Sequence, residues 1–248
     1  MTNERLSAII NEIAPFEYAA PWDNVGLLID GGNTYSRVLV ALDLTESVIK
    51  EASELGCGAV VCHHPAIFNA IKRISHTDPI YKAIQSGLSV FAAHTNFDAA
   101  DGGVNDVLSS LLGLQDVTFL GENRDGRVGT VGETDIRAVA DNVKKALGIP
   151  FVEIADAGHD ISKICVIGGA GGSYADEAKA LGCDLLITGE CKHNDALKAL
   201  SIGLSVIVAG HHETEAPSMK DLCSALAEKA PDTEFFLSKY SSAPFERI

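Results

Sequence analysis

Ala59-Val60-Val61-Cys62-His63-His64-Pro65 is a short apolar run that ends in two adjacent histidines and a proline. Branched apolar residues favour a buried β-strand and a proline interrupts one, so the sequence predicts a strand that ends just before the histidines. In open α/β sheets, ligands bind at the carboxyl ends of the strands. The two imidazoles are therefore candidate site residues, although an ordinary pair of surface or core histidines explains this stretch equally well when it is taken alone.

The segments around this run alternate between helix and strand patterns. Residues 3–14 predict an amphipathic helix, and residues 38–42 predict a strand whose following helix Thr45 is placed to cap. Asp78-Pro79 predicts the start of another helix, and residues 88–93 predict a further strand. This order indicates an α/β fold with a parallel sheet.

The second half of the chain repeats this order and some of its letters. Residues 54–61 resemble residues 180–187, an offset of 126 residues, and residues 87–93 resemble residues 203–209, an offset of 116 residues. A chance similarity of ordinary βαβ units is the alternative explanation. The pattern favours an internal pseudo-repeat of two similar α/β domains.

We place the division between these domains at residues 1–125 and 126–248. Residues 115–160 are then a connecting region, with a strand predicted near 128–131 and a helix near 135–147 that Gly148 ends.

The composition indicates a globular protein and argues against some classes of function. The chain has 248 residues, 46% of them hydrophobic, which can fill a substantial core. Its formal net charge of −15 repels phosphate backbones and argues against broad nucleic-acid binding. We find no signal-peptide pattern and no apolar stretch of the roughly 18 residues that cross a membrane, so we expect a cytoplasmic protein without a membrane partner. The six cysteines form no CxxC pair, which favours reduced thiols over disulfides or a zinc-thiolate site.

Two further strand ends carry side chains that bind metals in proteins. His94 and Asp98 follow one predicted strand, and His211 and Glu215 follow its counterpart in the second half. Residues four apart can lie on one side of a helical turn. Either pair alone is more often a solvated loop. Together with the histidines at 63 and 64 they exceed what one catalytic zinc needs, which suggests two divalent ions, and the mixture of nitrogen and oxygen suits Zn, Fe, Mn, Co or Ni.

The sequence allows two interpretations for each of two loops and one turn. Residues 168–173, Gly-Gly-Ala-Gly-Gly-Ser, lie where backbone amides can bind phosphate, but they lack the Gly-Lys-Ser/Thr of a P-loop, so a tight turn without a ligand is favoured. A second loop offers Glu190, Lys192 and His193 as acid–base or substrate-contacting groups, with a helix N-cap and solvated charges as the alternative. The turn Trp22-Asp23-Asn24 is either a core anchor with local backbone bonds or functional.

Taken together, these motifs resemble the GTP cyclohydrolase 1 type 2 homologue family, also called Nif-three-like proteins. The matching stretches are Trp22-Asp23-Asn24-Val25-Gly26-Leu27, Cys62-His63-His64-Pro65, His94-Thr95-Asn96-Phe97-Asp98, Thr188-Gly189-Glu190 with Lys192-His193, and Gly210-His211 with Thr214-Glu215. They follow the family's order through most of the chain. The resemblance implies two similar α/β domains that face each other across a cleft holding a dinuclear metal centre.

The resemblance also implies a ligand set and an assembly. The implied metal ligands are His63, His64, Asp98, His211 and Glu215. It leaves open whether His94 contacts a metal. It further implies a homo-oligomer in the form of a hexameric ring.

Three hypotheses of function follow. The first is a dinuclear metal-dependent hydrolase that uses metal-activated water on a small nucleotide-like or phosphorylated substrate, possible substrates including GTP, with His94, Lys192 and His193 as catalytic residues. The second is a metal-binding regulatory, chaperone or interaction protein without turnover of its own. The third is a thiol-redox role for Cys62.

Overall fold

Most helices and strands in the first part of the chain lie where the sequence predicts them. In the computed structural model, which describes residues 1–240 and 243–245, Thr45 and Asp78 cap their helices by accepting hydrogen bonds from backbone amides. The elements are α1 (Asn3–Ile13), β1 (Gly26–Ile29), β2 (Arg37–Ala41), α2 (Glu46–Glu54), β3 (Ala59–Cys62), α3 (Pro79–Gln85), β4 (Ser89–Ala92) and α4 (Thr95–Ala99). The strand before the paired histidines is thus confirmed.

The middle of the chain contains a second set of strands and helices. Its elements are α5 (Val104–Leu111), β5 (Gln115–Leu120), β6 (Gly126–Thr134), α6 (Ile136–Leu147), β7 (Glu153–Ala155), β8 (Ile161–Ile167), α7 (Ala175–Ala180), β9 (Leu185–Thr188), α8 (His193–Ser201), β10 (Ser205–Val208) and α9 (His211–Glu215). The chain then forms α10 (Ser218–Lys229) and β11 (Glu234–Leu237). The strand and helix predicted near 128–131 and 135–147 are confirmed as β6 and α6, and Gly148 ends the helix with a φ of 68°.

Each set of strands builds its own sheet. The first sheet has the order β1-β4-β3-β2-β11, in which β1 runs antiparallel to β4 and the other neighbours are parallel. The second has the order β5-β6-β8-β9-β10-β7, with a parallel centre of β8, β9 and β10 and antiparallel strands on both sides. The structure is therefore of the mixed α/β class.

The pseudo-repeat extends to the order of the strands. The offset of 126 residues carries β3 onto β9, and the offset of 116 residues carries β4 onto β10. In both sheets these strands are parallel neighbours, and an antiparallel strand lies beside the last of them. A short helix, α4 or α9, follows that last strand in each half and carries candidate ligands.

Two compact units can be distinguished, and their limits differ from the division after residue 125. One unit comprises Val104–Ser218, and the other comprises Met1–Gly103 with the described residues of Met219–Ile248. The end of the chain belongs with the first unit because β11 pairs in parallel with β2. β5 and β7 were absent from the sequence prediction. They are largely exposed and lack the alternation that marks a half-buried strand.

The central strands of the second unit are buried on both faces. Ile164 and Val166 of β8 pack with residues of α5 and α6, whereas Cys165 and Ile167 pack with residues of α7 and α8. Such two-sided burial explains the unbroken apolar runs in the sequence. It also leaves the strand ends as the places where polar side chains can emerge.

All six cysteines carry free thiols, and four of them are buried, as expected for reduced cysteines. Burial raises the pKa of the Cys62 thiol, which argues against the thiol-redox hypothesis because the thiolate is the reactive form. In the described part of the chain, no helix is both long and apolar enough to cross a lipid bilayer.

Candidate functional site

His63 leaves the end of β3 with its imidazole completely buried. Its backbone amide donates to the carbonyl of Ala41, and its Nδ1 lies 2.8 Å from the carbonyl oxygen of Ala93. A carbonyl oxygen only accepts hydrogen bonds, so Nδ1 carries the proton, and in the neutral ring Nε2 carries the lone pair. Nε2 is directed towards Asp98, with 3.6 Å between it and Oδ1.

His64 and His94 are held in the same way, but by carboxylates. Nδ1 of His64 lies 2.8 Å from Oδ1 of Asp43, and Nδ1 of His94 lies 2.9 Å from Oδ1 of Asp23. Asp23 also accepts hydrogen bonds from the backbone amide and hydroxyl of Thr95. Burial alone would raise the pKa of Asp23, but the hydrogen bonds from His94 and Thr95 lower it to about 2. The carboxylate that orients His94 is therefore ionised near neutral pH.

The three imidazoles form a compact group. The ring centroids of His63, His64 and His94 are 5.0 to 5.6 Å apart. One ring nitrogen of each lies within 4.8 Å of those of the other two, close enough for the group to hold a metal ion. The structure thus brings His94, which the sequence places 30 residues after His64, to the two adjacent histidines.

The second unit places His211 and Glu215 on one face of α9. Nε2 of His211 lies 3.1 Å from Oε1 of Glu215, and Nδ1 of His211 lies 3.0 Å from Oε1 of Glu190. Glu215 is buried, with 3% of its surface exposed. The spacing of four residues brings the pair together because α9 completes one helical turn between them.

The glycine-rich loop after β8 uses its amides within the protein. Gly168 donates to Oδ1 of Asn105, and Gly169 donates to the hydroxyl of Thr214. Gly171 and Gly172 donate to the Thr188 hydroxyl and the Glu190 carbonyl, respectively. These amides are therefore already engaged, which agrees with a tight turn and argues against a phosphate-binding loop.

The same loop lies directly against the carboxylate of Glu215. Gly169 has a φ of +61°, and a Cβ at this position would lie 2.2 Å from Oε1 of Glu215. A Cβ at Gly189 would lie 2.7 Å from Cα of His211. Glycine at position 169 allows the loop to approach the side chains of Glu215 and His211, and glycine at position 189, after β9, allows a close approach to the backbone of α9. Both positions support the candidate ligands.

Lys192 and His193 are exposed at the start of α8. In the described part of the chain, neither side chain forms a hydrogen bond or ion pair with another residue. Their assignment as catalytic residues stays a prediction.

Sequence reasoning missed two features of the first unit. Asp43, the partner of His64, follows the end of β2, and the rule that found the histidines at strand ends would also have found this carboxylate. The interpretation of Trp22 as a core anchor is wrong, because 61% of this residue is exposed.

Comparisons with known proteins identify relatives over nearly the whole chain. The profile of the Duf34/NIF3 (NGG1p interacting factor 3) family matches residues 1–244. A Clostridium perfringens protein named GTP cyclohydrolase 1 type 2 homolog is 32% identical, with 97% of each chain covered. The NGG1-interacting factor 3 of Saccharomyces cerevisiae is 35% identical, with 91% of this chain and 90% of the yeast protein covered. The crystal structure of a Bacillus cereus protein related to NIF3 superimposes with a TM-score of 0.93 at 22% identity, covering 100% of this chain and 99% of that chain, and supports the fold.

Proposed function

Because the chain belongs to the Duf34/NIF3 (NGG1p interacting factor 3) family, we propose that it is a dinuclear metal-dependent hydrolase of the GTP cyclohydrolase 1 type 2 homologue kind. Its proposed substrates are small nucleotide-like or phosphorylated molecules, GTP among them.

The hydrogen bonding of the four candidate histidines is the observation that carries this proposal. His63, His64, His94 and His211 each have Nδ1 within 2.8 to 3.0 Å of a carbonyl or carboxylate oxygen. Metal-binding histidines commonly donate one ring N–H to such an oxygen, which orients the ring and makes the other nitrogen a better ligand. The residues therefore fit metal ligation through Nε2.

The distances at Nε2 also favour a cation. In His63 and His211, Nε2 lies 3.6 and 3.1 Å from a carboxylate oxygen of Asp98 and Glu215, respectively. In the neutral ring, Nε2 and a carboxylate oxygen are both acceptors, so the contact is favourable only with a proton or a metal ion between them. Either pair can supply one nitrogen and one oxygen ligand.

We propose that two divalent ions are bound by His63, His64, Asp98, His211 and Glu215. These ligands combine nitrogen and oxygen, which suits Zn, Fe, Mn, Co or Ni. The bound metals would supply a water-derived nucleophile near neutral pH and polarise the bond that it attacks.

The remaining proposed roles belong to side chains of the chain itself. Asp23 holds Nδ1 of His94, so Nε2 of His94 is the atom that would exchange a proton with the substrate. Lys192 and His193 are exposed and would hold the leaving group or relay a proton. We also propose the hexameric ring as the assembly, which light scattering on the purified protein would test.

The test combines metal analysis with turnover. The purified protein would be assayed for metal content and for activity on GTP and a panel of phosphoesters, beside His64→Ala and Glu215→Ala. We expect both variants to lose metal and activity. His76→Ala, which removes an exposed histidine, serves as the control and should retain both. Turnover that survives both substitutions would refute the metal-dependent mechanism.

A second candidate function is a metal-binding interaction protein without turnover. The name of the yeast relative, NGG1-interacting factor 3, favours it. Absence of turnover on every substrate, together with transfer of the bound metal to an apo-acceptor protein, would support this function over the hydrolase.

A further inference from the structure

Trp22 is the chain's single tryptophan, and 61% of its surface is exposed. Phe68 is 44% exposed, and the centroids of the two rings are 5.6 Å apart. Tryptophan and phenylalanine side chains are mostly buried in folded proteins. Two such side chains that are exposed and next to each other are therefore an unusual surface feature.

The two rings lie beside His94. The ring of His94 is 6.3 Å from that of Trp22 and 6.4 Å from that of Phe68, measured between centroids, and it meets both at steep angles. His94 in turn lies 5.2 Å from the ring of His63. The exposed aromatic pair is thus continuous with the candidate metal-binding histidines of the same unit.

The turn that carries Trp22 holds this arrangement in place. Asp23 accepts the hydrogen bond from His94, and the side-chain amide of Asn24 donates to the carbonyl of Ile67 at 2.6 Å, next to Phe68. Three consecutive residues therefore position the indole, the imidazole and the loop that carries the phenyl ring. A preorganised surface binds a rigid ligand at a lower entropic cost than a mobile one.

We propose that Trp22 and Phe68 form a stacking platform for a planar aromatic ring of the substrate, with His94 at the edge of the platform nearest the other histidines. The inference rests on the proposed function and narrows its substrate class to compounds that carry a planar aromatic ring, such as a nucleobase. Stacking on an aromatic side chain recognises the π-face of a ring, which sugar phosphates and simple phosphoesters lack.

Trp22 itself reports on the platform, because all tryptophan fluorescence of the protein comes from this residue. The purified protein would be titrated with guanosine, adenosine and, as a ligand without an aromatic ring, ribose 5-phosphate. Equilibrium dialysis would measure the same affinities independently of fluorescence. We expect saturable binding and a change in Trp22 emission with at least one nucleoside, and no emission change with ribose 5-phosphate.

Variants then separate stacking from folding. Loss of one aromatic stacking partner commonly weakens binding by about 5- to 150-fold, so we expect a loss of this size in Trp22→Ala by dialysis and a smaller one in Trp22→Phe. Phe68→Ala should also weaken nucleoside binding. Phe151→Ala, which removes a phenylalanine of the same 44% exposure in the other unit, should not. Circular dichroism would verify that each variant is folded.

The outcomes distinguish this inference from the proposed function because binding is measured without turnover. If the protein hydrolyses GTP but Trp22→Ala binds nucleosides as tightly as the unsubstituted chain, the platform is overturned and the proposed hydrolase function is retained. Nucleoside binding that depends on Trp22 without any turnover would support the platform and count against the hydrolase. Failure of both nucleosides to bind would overturn the platform. Trp22 emission that changes only with protein concentration would also overturn it, and would assign this surface to contacts between copies of the chain.

Discussion

Replacement of Gly169 by alanine tests whether the glycine-rich loop positions the carboxylate of Glu215. A Cβ at Gly169 would lie 2.2 Å from Oε1 of Glu215 and 3.1 Å from Nε2 of His211. Ordinary van der Waals contact begins near 3.4 Å, so the carboxylate oxygen must retreat by about 1.2 Å. Glu215 is buried, and its carboxylate therefore has little room to move without leaving its position beside His211.

We expect Gly169→Ala to weaken the binding of a divalent metal by about 10- to 100-fold, the size of effect seen when the support of a metal ligand is lost. Alanine at a positive φ also lowers the free energy of unfolding by about 1–2 kcal/mol. The matched control is Gly182→Ala, because Gly182 has a φ of +76° and no described atom lies within 4 Å of the added Cβ. The control shares the backbone strain and lacks the clash.

Metal affinity would be measured for Zn²⁺ and Mn²⁺ by competition with a chromogenic chelator near neutral pH, and stability would be measured by urea unfolding. Both variants should lose stability through the backbone strain, and Gly169→Ala should lose more because it also has the clash. Only Gly169→Ala should lose metal affinity. Equal metal affinity in the two variants would refute the inference that this loop positions Glu215.

Three further predictions concern the metal, a surface carboxylate and a buried thiol. Removal of the metal with a chelator should lower the melting temperature in calorimetry, because a ligand at about 100 times its Kd stabilises the folded state by roughly 2.7 kcal/mol. Burial raises the pKa of Asp184, but hydrogen bonds from Lys163 and Ser162 outweigh this effect, and the pKa is lowered overall. At a pH above the ordinary pKa of 3.8, the ionised carboxylate of Asp184 therefore stabilises the folded protein. This stabilisation is lost as the pH falls from 3.8 through the lowered pKa. Asp184→Asn should therefore destabilise the protein by about 1 kcal/mol at neutral pH, after allowance for partial exposure, and by less in acid, as urea unfolding at several pH values would show. Burial raises the pKa of both the Cys62 and the Cys191 thiols, but Cys62 is completely buried and Cys191 is only half-buried. Iodoacetamide should therefore alkylate Cys191 before Cys62 in the native protein, as measured by mass spectrometry.

Each of these predictions has an outcome that contradicts it. An unchanged melting temperature after verified loss of metal would show that metal binding is not coupled to folding. A constant stability difference between Asp184→Asn and the unsubstituted chain at every pH would exclude the proposed effect of ionisation. Early alkylation of Cys62 in the folded protein would restore the thiol-redox hypothesis, which Cys62→Ser would then test.

Much of the fold could be predicted because its signals are local. The strand before His63 is a run of branched apolar residues stopped by a proline, and the offset of 126 residues locates β9 from β3. The position of β11 could not be predicted in this way. Its short sequence, Glu-Phe-Phe-Leu, contains no information on which strand it pairs with, and its pairing with β2 joins positions almost 200 residues apart.

The sequence by itself determined which side chains stand at the strand ends, since strand formation, proline interruption and the spacing of four residues within a helical turn depend on neighbouring residues. Only the tertiary structure decided what holds those side chains. The bonds from His64 to Asp43 and from His94 to Asp23 join residues 21 and 71 positions apart, so no local pattern specifies them. The close approach of Gly169 to Glu215 likewise depends on how β8 and α9 pack. The nature of the candidate ligands is thus a property of the sequence, whereas their orientation is a property of the folded chain.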